Sequence, residues 1–220
     1  MTFKTLFLAA ALAGLPLAVE SLWPMAAQAQ EAAAQEDKPT PIPPELVNEL
    51  RQGGFLIFFR HGITPNMKDP IDIEPDNPRA ADCASQRNLS GEGIEQSRAI
   101  GEAFRELEIP VGTVRASPMC RSADTAWYAF GRNERDRTLL GHGTNPAIDP
   151  FEAKVYRNIR NVAKVPPLPM TNSVFVGHGN LGDIFGGGNL AEGEAVIVKP
   201  DGKGAWQMIA KVKSDQWLAK

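Results

Sequence analysis

From residue 44 onward the chain alternates short continuous apolar runs with stretches whose apolar residues recur at helical spacing. Pro44-Glu45-Leu46-Val47 to Arg51 reads as a short helix that Gly53-Gly54 stops. Phe55-Leu56-Ile57-Phe58-Phe59 is an unbroken apolar run of strand length, the pattern of a strand buried on both faces of a parallel sheet. A long loop rich in Pro and Asp spans Ile63 to Asn88. Ser90 is a suitable N-cap, and Ile94, Ser97, Ile100, Gly101, Phe104 and Leu107 share one face of a helix over Gly91–Glu106 that Ile109-Pro110 ends. Val111–Ala116 is a second strand, Met119–Phe130 a second long helix, and Ser173–Val176 a third strand. Ala195–Val198 and Trp206–Ala210 form a terminal hairpin, with Pro200-Asp201-Gly202-Lys203-Gly204 as its turn. Strands alternating with helices predict an α/β three-layer sandwich, with a mostly parallel central sheet and helices on both faces. Met119, Trp127 and Tyr128 are expected in its core.

Residues 1–29 have a different pattern. Lys4 is the only basic residue, an apolar run covers Leu6–Val19, and Ala27-Gln28-Ala29 ends the stretch. A positive start, a short apolar core and a small-x-small site describe a secretory signal peptide, and the run falls short of the ~20 residues a bilayer span needs. Residues 30–44 are Ala-, Gln- and Pro-rich and read as a disordered linker, leaving 45–220 as one folded domain. The expected location is periplasmic or secreted, with no stable membrane span after cleavage. A formal charge of −3 without any basic run excludes nucleic acid as the partner. Three dispersed histidines leave little material for a metal site, and none is expected. Cys83 and Cys120 are an even pair in an oxidising compartment, so a disulfide is expected, closing a loop worth roughly 4 kcal/mol in the chain-entropy model. A nucleophilic cysteine is disfavoured, because the cysteine loops that cradle an anion for attack carry an Arg six positions later and here those positions are Ala126 and Leu89.

In open α/β sheets, ligands bind beyond the carboxyl ends of the strands. Those ends carry Arg60-His61-Gly62, Ser117-Pro118-Met119-Cys120-Arg121 and Gly177-His178-Gly179-Asn180. Two guanidiniums and two imidazoles converging on one edge make a pocket for a tetrahedral dianion. Helices starting after Pro118 and after His178 add N–H groups aimed at the same anion. His142, between Gly141 and Gly143, has no partner motif and reads as a loop residue.

These motifs resemble the histidine phosphatase superfamily, the relatives of cofactor-dependent phosphoglycerate mutases. The resemblance rests on Phe58-Phe59-Arg60-His61-Gly62 with Thr64, and on Leu89-Ser90 with Gly93, Gln96 and Gly101. Ser117-Pro118 with Arg121, Ala123, Thr125 and Ala126, and then Val176-Gly177-His178-Gly179-Asn180, complete it. It implies that His61 is the nucleophile, that Arg60, Arg121 and His178 hold the phosphoryl oxygens, and that no metal or organic cofactor takes part. Thr64 and Asn180 are further candidate substrate-binding residues, and Asn66 is a weaker one. The proton donor is expected among the carboxylates, with Glu152 favoured and Asp149, Asp183 and Glu194 as alternatives. The expected activity is phosphate monoester hydrolysis on a phosphorylated small molecule or envelope sugar. The alternative is a low-turnover phosphate- or phosphosugar-binding envelope protein on the same fold. Acidic residues in the Ile63–Asn88 loop disfavour very polyanionic substrates.

Overall fold

The structure is a computed structural model that describes residues 39–67, 82–140 and 154–217. Its elements are α1 (Pro44–Gln52), β1 (Leu56–Arg60), α2 (Gly91–Glu106), β2 (Val111–Ala116), α3 (Cys120–Phe130) and β3 (Glu134–Arg135). They continue with α4 (Lys154–Ala163), β4 (Asn172–Gly177), α5 (Leu181–Ile184), β5 (Ala195–Pro200) and β6 (Trp206–Val212). The six strands form one sheet in the order β3-β2-β4-β1-β5-β6. β3, β2, β4 and β1 run parallel, while β5 and β6 add an antiparallel hairpin at one edge.

The apolar run of β1 explains its central place. Leu56, Ile57, Phe58 and Phe59 are all buried, and alternate residues go to opposite faces. Ile57 and Phe59 pack with Val174, Val176 and Ala116 against Leu46, Leu50, Ile100, Phe104, Ala126 and Ala129 of the first three helices. Leu56 and Phe58 enter the opposite core with Phe175, Val196, Val198, Ile159, Leu181 and Ile184, beneath α4 and α5. Phe58 stacks between Phe175 and Phe185 at centroid distances of 4.6 and 4.1 Å. Helices therefore cover both faces of a mostly parallel sheet, as the sequence pattern predicts.

Strand register positions the site. Arg60 pairs with Gly177 and Ala116 with Val176, so β1, β2 and β4 end at one level. The backbone pairing continues one residue further, with His61 N–H donating to Gly177 O at 2.9 Å and Ser117 N–H to Val176 O at 2.8 Å.

Three details differ from the sequence reading. Residues 40–43, placed in the linker, pack on the domain: Ile42 is buried, and Gln216 Nε2 donates to the Thr40 carbonyl at 3.1 Å. Trp127 is 59% exposed and Tyr128 36%, because α3 turns Ala123, Ala126 and Ala129 inward; only Met119 of that trio is core. Helix α4 and the two-residue strand β3 were not expected. The expected disulfide between Cys83 and Cys120 is present, with Cα atoms 5.6 Å apart.

Candidate active site

His61 follows the last residue of β1 and is 2% exposed. Its Nδ1 lies 2.8 Å from the carbonyl oxygen of Gly62, which can only accept, so Nδ1 carries the proton and Nε2 keeps a lone pair. Burial, and then the Arg121 guanidinium, lower its pKa from 6.5 to about 3. Arg60 and Arg87 add smaller effects in the same direction. The ring is therefore neutral at physiological pH.

His178 follows β4, and its ring meets that of His61 edge-on at a centroid distance of 5.7 Å. Burial and then Arg121 hold its pKa well below the usual value. Its Nε2 lies 3.1 Å from the hydroxyl of Ser117, which also accepts from Met119 N–H at 3.3 Å. The residue opening the second strand-end motif thus orients the histidine of the third.

Arg121 lies in the first turn of α3 and is buried. Its backbone carbonyl accepts from the Thr125 hydroxyl at 2.7 Å, and Thr125 Oγ1 in turn accepts from Gly62 N–H at 2.8 Å. That relay joins the helix carrying Arg121 to the backbone beside His61. Gly62 suits this position because a Cβ there would sit 2.9 Å from the Gly93 carbonyl oxygen at the start of α2.

The loop before β5 closes another side. Arg60 N–H donates to Glu194 O and Gly193 N–H to His61 O, both at 2.9 Å. Arg60 Nη1 donates to Leu190 O at 2.8 Å, and its Nη2 lies 3.5 Å from Glu192 Oε1. Glu192 Oε1 also accepts from the Thr64 hydroxyl at 2.6 Å, and that hydroxyl accepts from Arg87 Nη1 at 2.7 Å. Gln96 secures the same loop, accepting from Ile63 N–H at 3.1 Å and donating to Glu192 O at 3.1 Å and Ser214 Oγ at 3.0 Å.

The structure thus brings together Arg60, His61, Thr64, Arg121 and His178. Asn180 is the N-cap residue of α5, and Asn66 is exposed. Glu152, Asp149 and His142 lie outside the described residues. Of the other acid candidates, Asp183 is exposed. Glu194 is committed to Lys211 at 3.2 Å and to Ala191 N–H at 2.7 Å, which fastens the loop before β5. Sequence reasoning missed Arg87 and Glu192; the only signal for Arg87 was its position just before Asn88-Leu89-Ser90. Among the described residues, no three His, Cys, Asp or Glu side chains gather as a metal site.

No family model and no curated protein matches this chain. Solved structures do. The protein histidine phosphatase SixA complexed with tungstate is similar at 15% identity and a TM-score of 0.50, over 73% of this chain and 97% of that one. The ecdysone phosphate phosphatase from Bombix mori, also in complex with tungstate, is similar at 13% identity and a TM-score of 0.50, over 71% of this chain and 92% of that one. Sheet, strand ends and these likenesses agree: the chain has the histidine phosphatase fold.

Proposed function

We propose that the protein is an exported phosphomonoesterase that passes a phosphoryl group from a small ester to His61 and then to water. The observation that carries this reading is the pair of neutral imidazoles, 5.7 Å apart, beside Arg121 and Arg60 at one sheet edge. A nucleophilic imidazole must be unprotonated, and burial among guanidiniums keeps it so. In the proposed reaction Nε2 of His61 attacks phosphorus in line, and the bond to the ester oxygen breaks. Arg60, Arg121 and His178 stabilise the charge on the equatorial oxygens. The leaving alkoxide takes a proton from a carboxylic acid, for which Glu152 is the candidate. Water, passing a proton to the carboxylate so formed, then attacks phosphorus; the bond to His61 Nε2 breaks, releasing phosphate and restoring both neutral His61 and the carboxylic acid. Thr64 and Asn180 are proposed to contact the substrate. The tungstate complexes of the two similar structures support a pocket for a tetrahedral oxyanion.

Export is supported by the N-terminal pattern and by the Cys83–Cys120 disulfide, which suits an oxidising compartment. Among the described residues, no helix is long and apolar enough to cross a membrane. The substrate class this reading favours is a phosphorylated small molecule or envelope sugar. The test is p-nitrophenyl phosphate hydrolysis in EDTA, comparing the mature protein with His61→Ala. Turnover that needs His61 is expected. Phosphate binding without turnover would favour a binding protein instead.

A further inference from the structure

Arg87 was not among the residues the strand-end motifs pointed to, yet its head group reaches the site. Its Nη1 donates to Thr64 Oγ1 at 2.7 Å and lies 3.9 Å from Glu192 Oε1, the same oxygen that Arg60 approaches at 3.5 Å. Its charge acts on both His61 and His178. Arg121 Nη1 donates to the Arg87 carbonyl at 3.4 Å, so two arginines of the pocket touch directly.

Arg87 belongs to no helix or strand. What fixes it is a strap. Cys83 is bonded to Cys120, the first residue of α3 and the neighbour of Arg121. Within the strap, buried Gln86 accepts from Cys120 N–H at 2.9 Å, capping one of the helix's open donors, and Asn88 Nδ2 donates to Cys83 O at 2.8 Å. Irregular backbone is entropically costly to hold in one conformation, and a covalent tie at Cys83 limits the alternatives open to the next few residues.

Arg87 thus adds a third guanidinium beside those of Arg60 and Arg121, on the side of the pocket formed by Thr64 and Glu192, where its planar fork suits a phosphate oxygen. We infer that Arg87 is a third arginine ligand of the substrate phosphate, beside Arg60 and Arg121, and that the Cys83–Cys120 disulfide is what holds it in place. Phosphate affinity then depends on the oxidised state of the protein. This rests on the reading of the site as a phosphate ester pocket.

The test titrates inorganic phosphate by calorimetry into the mature protein, wild type, Arg87→Ala and Arg87→Lys, each oxidised and after reduction by a phosphine. Arg87→Ala in oxidised protein should weaken phosphate about tenfold, the loss of one charge-assisted pair. Arg87→Lys should fall between, since lysine offers a point charge without the planar fork. Reduction should weaken the wild type by a similar factor and leave Arg87→Ala unchanged, because the strap then has no ligand to position. Unaltered phosphate affinity in oxidised Arg87→Ala, or equal loss on reduction in both proteins, would overturn the inference. Circular dichroism checks that the reduced protein stays folded; should it unfold, the oxidised Ala and Lys variants decide alone. Arg87-dependent phosphate binding by a wild type that hydrolyses no ester would sink the catalytic reading and leave this inference standing.

Discussion

The neutrality of His61 can be tested without any substrate, through stability. Its pKa is lowered from 6.5 to about 3, by burial first and Arg121 second. In the unfolded chain the imidazole takes up a proton below about pH 6.5, whereas the folded protein refuses it down to about pH 3. The unfolded state therefore binds more protons across that window. The stability tied to neutral His61 is complete above the unfolded pKa and is lost as the pH falls. Linkage puts the loss at about 2 kcal/mol between about pH 7.5 and about pH 5. The perturbation is His61→Asn, whose amide can still donate to the Gly62 carbonyl that Nδ1 now meets at 2.8 Å but does not titrate. Urea unfolding, followed by the fluorescence of buried Trp217, would be run on both proteins at the two pH values in buffer without phosphate. The wild type should lose about 2 kcal/mol more than the variant over that interval. Equal losses would show that folded His61 titrates like an exposed imidazole, and the argument for a neutral nucleophile would fail.

Three further outcomes are expected. Ser117→Ala should lower kcat for p-nitrophenyl phosphate about tenfold by freeing the His178 ring and should cost about 1 kcal/mol by stranding Met119 N–H; unchanged kcat would remove Ser117 as a positioning residue. Phe58→Ala, at a site 2% exposed between two stacked rings, should destabilise by about 3–5 kcal/mol in urea, and a loss under about 1 kcal/mol would contradict the two-faced burial of β1. Replacing both Cys83 and Cys120 by Ser, which opens a loop spanning a sequence separation of 37, should cost roughly 4 kcal/mol, read from the shift in urea midpoint.

Much of the frame was legible because the physics is local. A five-residue apolar run can only be a doubly buried strand here, and Ser90 with its helical-period face marks α2 with the bounds it has, the hydroxyl accepting from Gly93 N–H at 3.0 Å. The hairpin followed from an equally short-range turn signal, and the disulfide from there being only two cysteines to pair in a chain with an export-like N-terminus. What failed depended on context. In α4, Val155, Ile159, Val162 and Ala163 recur at helical spacing, but interspersed Arg and Asn dilute the pattern below notice. Trp127 and Tyr128 looked like core by residue type, whereas small alanines fill the tight α2–α3 contact and leave the aromatics outside. Glu192 was invisible, since only the pairing of Gly193 N–H with His61 O, across 132 residues, brings it to the pocket. Arg87 was invisible for a like reason, its place being set by a bridge to another element.

The most direct test of the proposed chemistry is to trap the intermediate. The protein would be mixed with p-nitrophenyl phosphate, quenched in alkali, where phosphohistidine survives, and mapped by peptide mass spectrometry. The account predicts a phosphoryl group on the peptide carrying His61, present during turnover and absent in His61→Ala. Phosphoryl on another residue, or turnover that persists in His61→Ala, would contradict it.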